Sequence, residues 1–356
     1  MPLKQPNTPR RAFAPGQHVR LLASIALLVV MVVIAGLVFL IHRTRELAHE
    51  ASVLQVTNIE KPPAAINIPA PFPLGVDPLH KKITEAPEVD LYFKNEITSN
   101  RVAYHSKDTW FGKVIAKLTQ EAWYQNLASP SARILVIESG ERKEEVAKHF
   151  GDILNWSEKD RMLFITTIAK EDPEIADGKF FPATYVVARD ASAADVATLV
   201  SERFAKEVSS RYQGGIERIL PITEALTIAS LLEREAYDFD DMREISGVIW
   251  NRLFAGMRLQ IDATLQYTKA SKRGGDWWPK VLPEDKQIGS PYNTYINAGL
   301  PPAPIANPSL DAILAALNPR KTDCMFYFHD SHGNFHCTKT YQEHVAALKE
   351  IYGRGK

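Results

Sequence analysis

Cysteine is scarce, with two residues, Cys324 and Cys337, in a chain of 356. That is too few for a disulfide scaffold. An excess charge of one sign is lacking as well. Lys plus Arg and Asp plus Glu number 42 each, so no global field draws the protein to nucleic acid or to an acidic surface. The sequence contains no HExxH, no G-x-S-x-G and no phosphate-cradling glycine loop, the signatures of zinc peptidases, serine hydrolases and nucleotide sites. It shows no strong internal repeat, and its one biased tract is rich in proline. The length allows two or three small domains with proper cores.

What is present begins with Leu21–Ile41, LLASIALLVVMVVIAGLVFLI, which carries no charged side chain. At about 1.5 Å rise per residue this run spans roughly 30 Å, the hydrocarbon thickness of a bilayer. A cleaved signal peptide has a shorter apolar region, about 7–15 residues, ending at a small-residue site. Here bulky Phe39, Leu40 and Ile41 fill that place, and a buried core helix would carry a polar face. The run reads as a retained single transmembrane helix. Lys4, Arg10, Arg11 and Arg20 precede it, while Arg43 and Arg45 follow beside Glu46 and Glu50. The basic tail, residues 1–20, is therefore expected in the cytoplasm, and the chain after Ile41 outside the cytoplasmic membrane.

Residues 42–88 include KPPAAINIPAPFPLGVDP and lack a helical period, which predicts an extended, semi-rigid stem. A first small module is expected over 89–132, with WFGKVIAKLTQEAWYQNL as its helix. A second, 133–212, reads as strand (ILVIE), helix (EEVAKHFGDIL), strand (GKFFPATYVVA) and helix (ADVATLVSERFAKEVSSRY). The third, 213–356, is largely helical: ITEALTIASLLEREA, MREISGVIWNRLFAG, a proline- and asparagine-rich coil, SLDAILAALNP, a β-hairpin and TYQEHVAALKEIYG. The fold class is thus α+β. In the hairpin, pairing of Asp330 with Phe335 across the turn SHGN would set Cys337 opposite Phe328 and leave Cys324 well away. Two free thiols are therefore expected, although an exported location would permit a bridge.

The helix from Thr223 carries the candidate chemistry. Thr223 reads as its N-cap, and Glu224 suits the positive helix end. At roughly 100° per residue, Leu226, Ala229 and Ala236 lie within about 60° of Glu233, while Thr227, Ser230 and Arg234 begin the polar face. Glu233 then borders the buried stripe, where desolvation raises a carboxyl pKa. Such a group can donate a proton to a glycosidic oxygen. Glu235 points roughly 160° away and reads as a structural carboxylate. Periodicity alone is served as well by an interface glutamate paired with an arginine.

Further side chains are candidates by type. In LQIDAT, an extended run would turn Gln260, Asp262 and Thr264 to one side, as a substrate wall or as a solvated strand face. Tyr292, Asn293 and Tyr295 offer a sugar-stacking face and amide donors, or else cap a loop. Asn251 and Arg252 either hold the cleft together or lie on an exposed helix face. Asn307-Pro308 and Asn318-Pro319 read as helix punctuation. Trp277 and Trp278 are a stacking platform or a loop anchor. His329, His332, His336 and Cys337 crowd one turn at a spacing that fits no common zinc pattern, so neither metal nor cofactor is expected.

ALTIASLLEREA, GVIWNRLFAGMRLQIDATLQY and SPYNTYINAGLPPAPIANPSLDAILAALNP, with GKFFPATYVV upstream, resemble the MltG (YceG-like) endolytic murein transglycosylases. The likeness runs from about Arg133 onward, while 47–130 matches loosely. It implies that Glu233, the first glutamate of SLLEREA, is catalytic and that 133–212 is LysM-like. It also implies a peptidoglycan glycan strand cut between MurNAc and GlcNAc to leave 1,6-anhydroMurNAc ends, terminating nascent strands. Expected partners are the glycan, the cytoplasmic membrane and peptidoglycan synthases, with no nucleic acid. A non-catalytic peptidoglycan-binding scaffold and a glycan hydrolase on the same fold stay open.

Overall fold

The computed structural model describes residues 70–85, 132–273 and 276–353, with the isolated positions Met31, Gly36 and Phe39. Those three long stretches belong to one compact unit. Apart from the isolated positions, the expected transmembrane run Leu21–Ile41 lies outside the described residues. So do most of the expected stem and, except for Ala132, the first module. Among the described residues no helix is long and apolar enough to cross a membrane.

Residues 70–85 are not an extended spacer. They form a short hairpin, β1 (Val76–Asp77) antiparallel to β2 (Lys82–Ile83). Phe72, Val76 and Ile83 are buried in the larger hydrophobic cluster of the molecule. Phe72 donates its N–H to the Arg211 carbonyl at 3.0 Å, and Gly75 to that of Leu317 at 2.9 Å. Pro71 and Pro73 keep this stretch extended, but an extended backbone can still turn one side chain inward, as Phe72 does between them.

The next part is a β–α–α–β unit with a trailing helix. β3 (Ala132–Val136) pairs antiparallel with β4 (Thr184–Ala188), from Ala132↔Ala188 to Val136↔Thr184. Between them run α1 (Lys143–Leu154) and α2 (Glu158–Ile168), and α3 (Ala193–Glu207) follows. Leu135, Val146, Phe150, Phe164, Phe180, Val196 and Val200 close a core of their own. The helix ends are written locally. Ser157 with Asp160, and Ser192 with Asp195, form capping boxes at the starts of α2 and α3. α1 stops where Asn155 takes a left-handed φ of 56°.

The larger cluster is built by α4 (Ile216–Ile219), α5 (Ile222–Glu235), α6 (Phe239–Phe254), α7 (Asp262–Arg273) and α8 (Leu310–Leu317). The hairpin β5 (Phe326–His329) and β6 (Phe335–Thr338), then α9 (Tyr341–Tyr352), complete the fold. α5 packs against α6, α7 and α8, and every residue from Ala225 to Leu232 is buried. The expected polar face is therefore internal. Thr227 donates to the Thr223 carbonyl at 2.7 Å, and Ser230 donates to Thr227 while accepting the Ile305 N–H at 3.0 Å. A helix enclosed all round must satisfy its polar groups inside the protein. α5 begins at Ile222 behind Pro221, with the Glu217 carboxylate taking the Ile222 N–H, so Thr223 lies within the helix and is not its cap.

α6 fastens the chain that leads into β5. Asn251 Nδ2 donates to the carbonyls of Thr322 and Cys324 at 2.9 and 3.0 Å, and Arg252 Nε to that of Met325 at 2.6 Å. Of the two readings of this pair, the structure gives a fastening role. The expectation of two free thiols is corrected: Cys324 and Cys337 form a disulfide, their Cα atoms 5.7 Å apart. The register explains the difference. The turn takes in Asp330, so His329 rather than Asp330 pairs with Phe335, and Cys337 falls opposite Tyr327. Met325 then donates to the Thr338 carbonyl at 2.8 Å, which draws Cys324 up to β6.

Candidate active site

α5 ends in Glu233, Arg234 and Glu235, and the three side chains leave it in different directions. Glu233, half-buried, lies beside Gly140 of the β–α–α–β unit. Its Oε2 accepts the N–H of Ser309 at 2.9 Å, at the start of α8, where Ser309 is also the N-cap. It thereby satisfies one of the backbone donors that open a helix. The Arg234 guanidinium lies over the Trp278 ring, 3.9 Å from its centroid.

Glu235 turns the other way, toward α7 and β5. Tyr327 donates its hydroxyl to Glu235 Oε2 at 3.0 Å, and the Ala263 N–H also bonds the carboxylate. Asp262, Arg252, Tyr295 and His329 stand within electrostatic reach. Burial pushes the Glu235 carboxyl up to about 7, with the Asp262 charge adding to the rise. The Tyr327 hydroxyl, the Ala263 N–H and His329 pull it back without cancelling it. Part of the side chain keeps its surface, so the raised value comes from neighbours enclosing the carboxyl and not from complete loss of accessible area. A carboxyl of this kind is roughly half-protonated at neutral pH and can serve as donor and then as acceptor.

Of the residues expected to line a substrate wall, the structure brings some to Glu235 and sends others inward. Asp262 is exposed at the first turn of α7, and Tyr295 donates its hydroxyl to Asp262 Oδ1 at 2.6 Å. Gln260 is exposed two positions earlier, with φ 53° and its N–H on the Thr294 carbonyl. Thr264 departs from the expectation. LQIDAT is not extended throughout, because α7 starts at Asp262, and on a helix residues two apart diverge by roughly 160°. Thr264 is fully buried, bonded to the Ile261 carbonyl and to Thr294. Asn293 is buried as well. Its amide donates to the carbonyls of Lys286 and Ile288 and accepts from Tyr295 N–H, which is loop capping. Tyr292 packs against Tyr267, the ring centroids 4.8 Å apart.

The remaining candidates are engaged elsewhere. Trp278 is covered by Arg234, and Trp277 lies 5.7 Å from the Arg142 guanidinium. His329 contacts Asp241 at 2.9 Å and His336 contacts Asp330 at 3.1 Å, on different neighbours. Among the described residues, one group of three side chains could converge on an ion: Glu141, Glu145 and His149. Glu141 already meets His149 at 3.0 Å and takes the Glu138 N–H, and Glu145 takes the Arg142 N–H. Sequence reasoning missed Tyr327, which sits in an ordinary aromatic strand, and placed Glu235 away from the wall residues. No local signal distinguishes either one.

The profile of the YceG-like family matches residues 105–350. The chain is 32% identical over 270 residues to an endolytic murein transglycosylase of Bacillus subtilis, covering 70% of this chain and 72% of that protein. It is 33% identical over 178 residues to one of Streptococcus pneumoniae serotype 2, covering 49% of this chain and 32% of that protein. A crystal structure of a YceG-like protein from Listeria monocytogenes superposes with a TM-score of 0.52 at 29% identity, covering 60% of this chain and 75% of that one.

Proposed function

The chain belongs to the YceG-like family, and from that premise we propose that it is an endolytic murein transglycosylase with Glu233 as its acid and base. The substrate is the peptidoglycan glycan strand, cut between MurNAc and GlcNAc to leave a 1,6-anhydroMurNAc end. One observation supports the residue assignment: Glu233, half-buried at the end of α5, faces the β–α–α–β unit at Gly140. The resemblance of SLLEREA points to the same residue, and the Ser309 N–H orients its carboxyl from the start of α8; Glu235, enclosed by Tyr327 and α7, supports a structural reading.

Glu233 gives its proton to the glycosidic oxygen as the bond from C1 to that oxygen breaks. Its carboxylate then takes the proton of the C6 hydroxyl as that oxygen bonds to C1. The proton is back on Glu233 and no water is consumed, so one carboxyl suffices where a glycosidase needs a pair. Gln260, Asp262 and Tyr295 line the approach. Thr264, Tyr292 and Asn293 shape the loop and helix that present them.

The β3–α1–α2–β4 order supports a LysM-like reading of 133–212, ahead of a catalytic domain over 213–356 that also takes in the 70–85 hairpin. The uncharged run Leu21–Ile41 with its basic amino-terminal flank supports a single-pass anchor in the cytoplasmic membrane, with the enzyme outside. The Cys324–Cys337 disulfide supports an oxidising compartment. In that place the enzyme would terminate nascent strands beside peptidoglycan synthases.

The test is mass spectrometry of purified glycan strands digested by wild type, Glu233→Gln and Glu235→Gln. Anhydro ends are expected from wild type, with a loss of roughly 10²–10⁴-fold in Glu233→Gln and a milder loss in Glu235→Gln. Reducing ends from wild type would make the protein a hydrolase. A dead Glu235→Gln beside an active Glu233→Gln would move the assignment to Glu235. A folded wild type that binds strands without cutting them would be a scaffold.

A further inference from the structure

We propose that Arg234 is a positioning residue for Glu233: Trp278 and Glu145 hold its guanidinium beside the catalytic carboxyl without letting the two pair, so the β–α–α–β unit takes part in cleavage. The proposal rests on the reading of Glu233 as the acid and base.

The residues form one layered contact. Gly140 has a φ of 81° and no side chain. A Cβ there would stand 3.1 Å from Arg234 Nη1 and 3.7 Å from Glu233 Cγ, so the arginine and the glutamate share the space that the glycine leaves. The guanidinium lies on the Trp278 ring, 3.9 Å from its centroid. The indole N–H of Trp278 in turn bonds the Glu145 carboxylate on α1. Asp276 Oδ1 takes the Trp278 backbone N–H at 3.0 Å, and the ring packs against the larger hydrophobic cluster. The stack is anchored in both parts of the fold.

Arg234 Nε is buried and has no hydrogen-bond partner among the described residues. Burial pulls the guanidinium below its usual range, and the charges of Glu145, Glu233 and Glu235, in that order, pull it back. Ring and charge therefore hold it where hydrogen bonds do not. The Ser309 N–H already occupies Oε2 of Glu233. A guanidinium released from the ring and drawn onto Glu233 would take Oε1, the oxygen left to meet the glycosidic bond. Held off, it still favours the carboxylate that forms when the proton is given up.

The groups around Glu233 are Arg234 and Glu235 on α5, Glu145 on the β–α–α–β unit with Glu141 and His149 beyond it, and the Ser309 N–H of α8, with Asp311 in the first turn of that helix. Arg234 favours the Glu233 carboxylate and Glu145 offsets Arg234, so their removal acts in opposite senses. The free enzyme needs Glu233 protonated, and its titration sets the basic limb of the kcat/KM profile. Arg234→Gln is expected to move that limb up by about one pH unit. It should also lower kcat about tenfold with KM within about twofold. Glu145→Gln keeps an acceptor for the indole and should move the limb down. Arg234→Lys keeps the charge but not the planar stack, so it should hold the wild-type limb with a reduced kcat.

The profiles are read as anhydro ends released from purified glycan strands, and melting curves confirm that each variant is folded. If the limb of Arg234→Gln or Glu145→Gln stays at the wild-type position, or both move the same way, the proposal fails even with Glu233→Gln inactive. It fails as well if Arg234→Lys keeps the wild-type kcat. Should Arg234→Gln not fold, Glu145→Gln decides alone, and an unmoved or raised limb overturns the proposal. An active Glu233→Gln would instead sink the reading beneath it.

Discussion

Asn307 is bonded twice to one carbonyl of the β–α–α–β unit: its backbone N–H and its Nδ2 both donate to Glu141 O, each at 2.8 Å. Its own carbonyl accepts the Gly140 N–H at 2.8 Å, and its Oδ1 accepts the Phe180 N–H at 3.0 Å. The residue is fully buried. The asparagine expected to punctuate a helix is instead a clamp between the module carrying Gly140 and the loop that leads to α8. Asn307→Ala leaves the Phe180 N–H unpaired, at a cost of about 1–3 kcal/mol for a buried orphan, and takes one of two bonds from the Glu141 carbonyl. Urea denaturation should show that loss, and an unchanged midpoint would remove the clamp from the account.

The raised carboxyl of Glu235 ties stability to pH with a definite sign. An unfolded glutamate titrates near about 4.3, while Glu235 in the folded protein titrates at about 7. Between those values the folded state holds more protons, so this group's contribution is complete below the lower value and is lost as pH rises through the upper one. Glu235→Gln has no such window. Its stability relative to wild type should rise between pH 5 and pH 8, measured by denaturant unfolding of both proteins. A constant difference across that range would mean that the carboxyl is not shifted.

Phe72 separates a spacer from a structural segment. It is 4% exposed and lies in the larger hydrophobic cluster, with the Arg211 guanidinium 4.5 Å from its ring centroid. Phe72→Ala should destabilise the soluble enzyme by about 3–5 kcal/mol, the usual cost of emptying a buried phenylalanine site. A melting temperature equal to wild type would show that the segment does not belong to the core.

Gly247 sets two effects against each other. Alanine is favoured over glycine inside a helix by about 1 kcal/mol, and Gly247 lies in the middle of α6. A Cβ there, however, would collide with the Arg320 carbonyl and crowd Thr322. Overpacking against backbone typically costs about 1–3 kcal/mol, so Gly247→Ala should be destabilising on balance. A stabilised variant would show that the 320–322 chain can move aside.

ADVATLVSERFAKEVSSRY and TYQEHVAALKEIYG were legible as helices and became α3 and α9. The helix α2 was not foreseen, although Ser157 with Asp160 caps its start. The apolar period of ITEALTIASLLERE gave α5, but not the enclosure that turns Thr227 and Ser230 inward. Which terminal glutamate meets the wall residues was not readable, because it depends on where α7 and β5 pack. The disulfide was lost by one register step: Asp330 bonds to Asn334 within the turn and so leaves the ladder. LQIDAT offered too short an alternation to tell a strand from a helix start, although an acidic residue at the first turn is a helix signal. Phe72 and Val76 were hidden by the prolines around them.

The attachment of residues 70–75 determines where mechanical load enters the enzyme. Tension arriving along the polypeptide from the amino-terminal side meets the Arg211 Nε bond to the Ala70 carbonyl, the Phe72 bond to Arg211 and the Gly75 bond to Leu317. Leu317 is the last residue of α8, and the opposite end of α8 is where Ser309 grips Glu233. A pull on the chain ahead of Ala70 is therefore borne by α8, the helix that packs along α5 and whose first turn bonds Glu233.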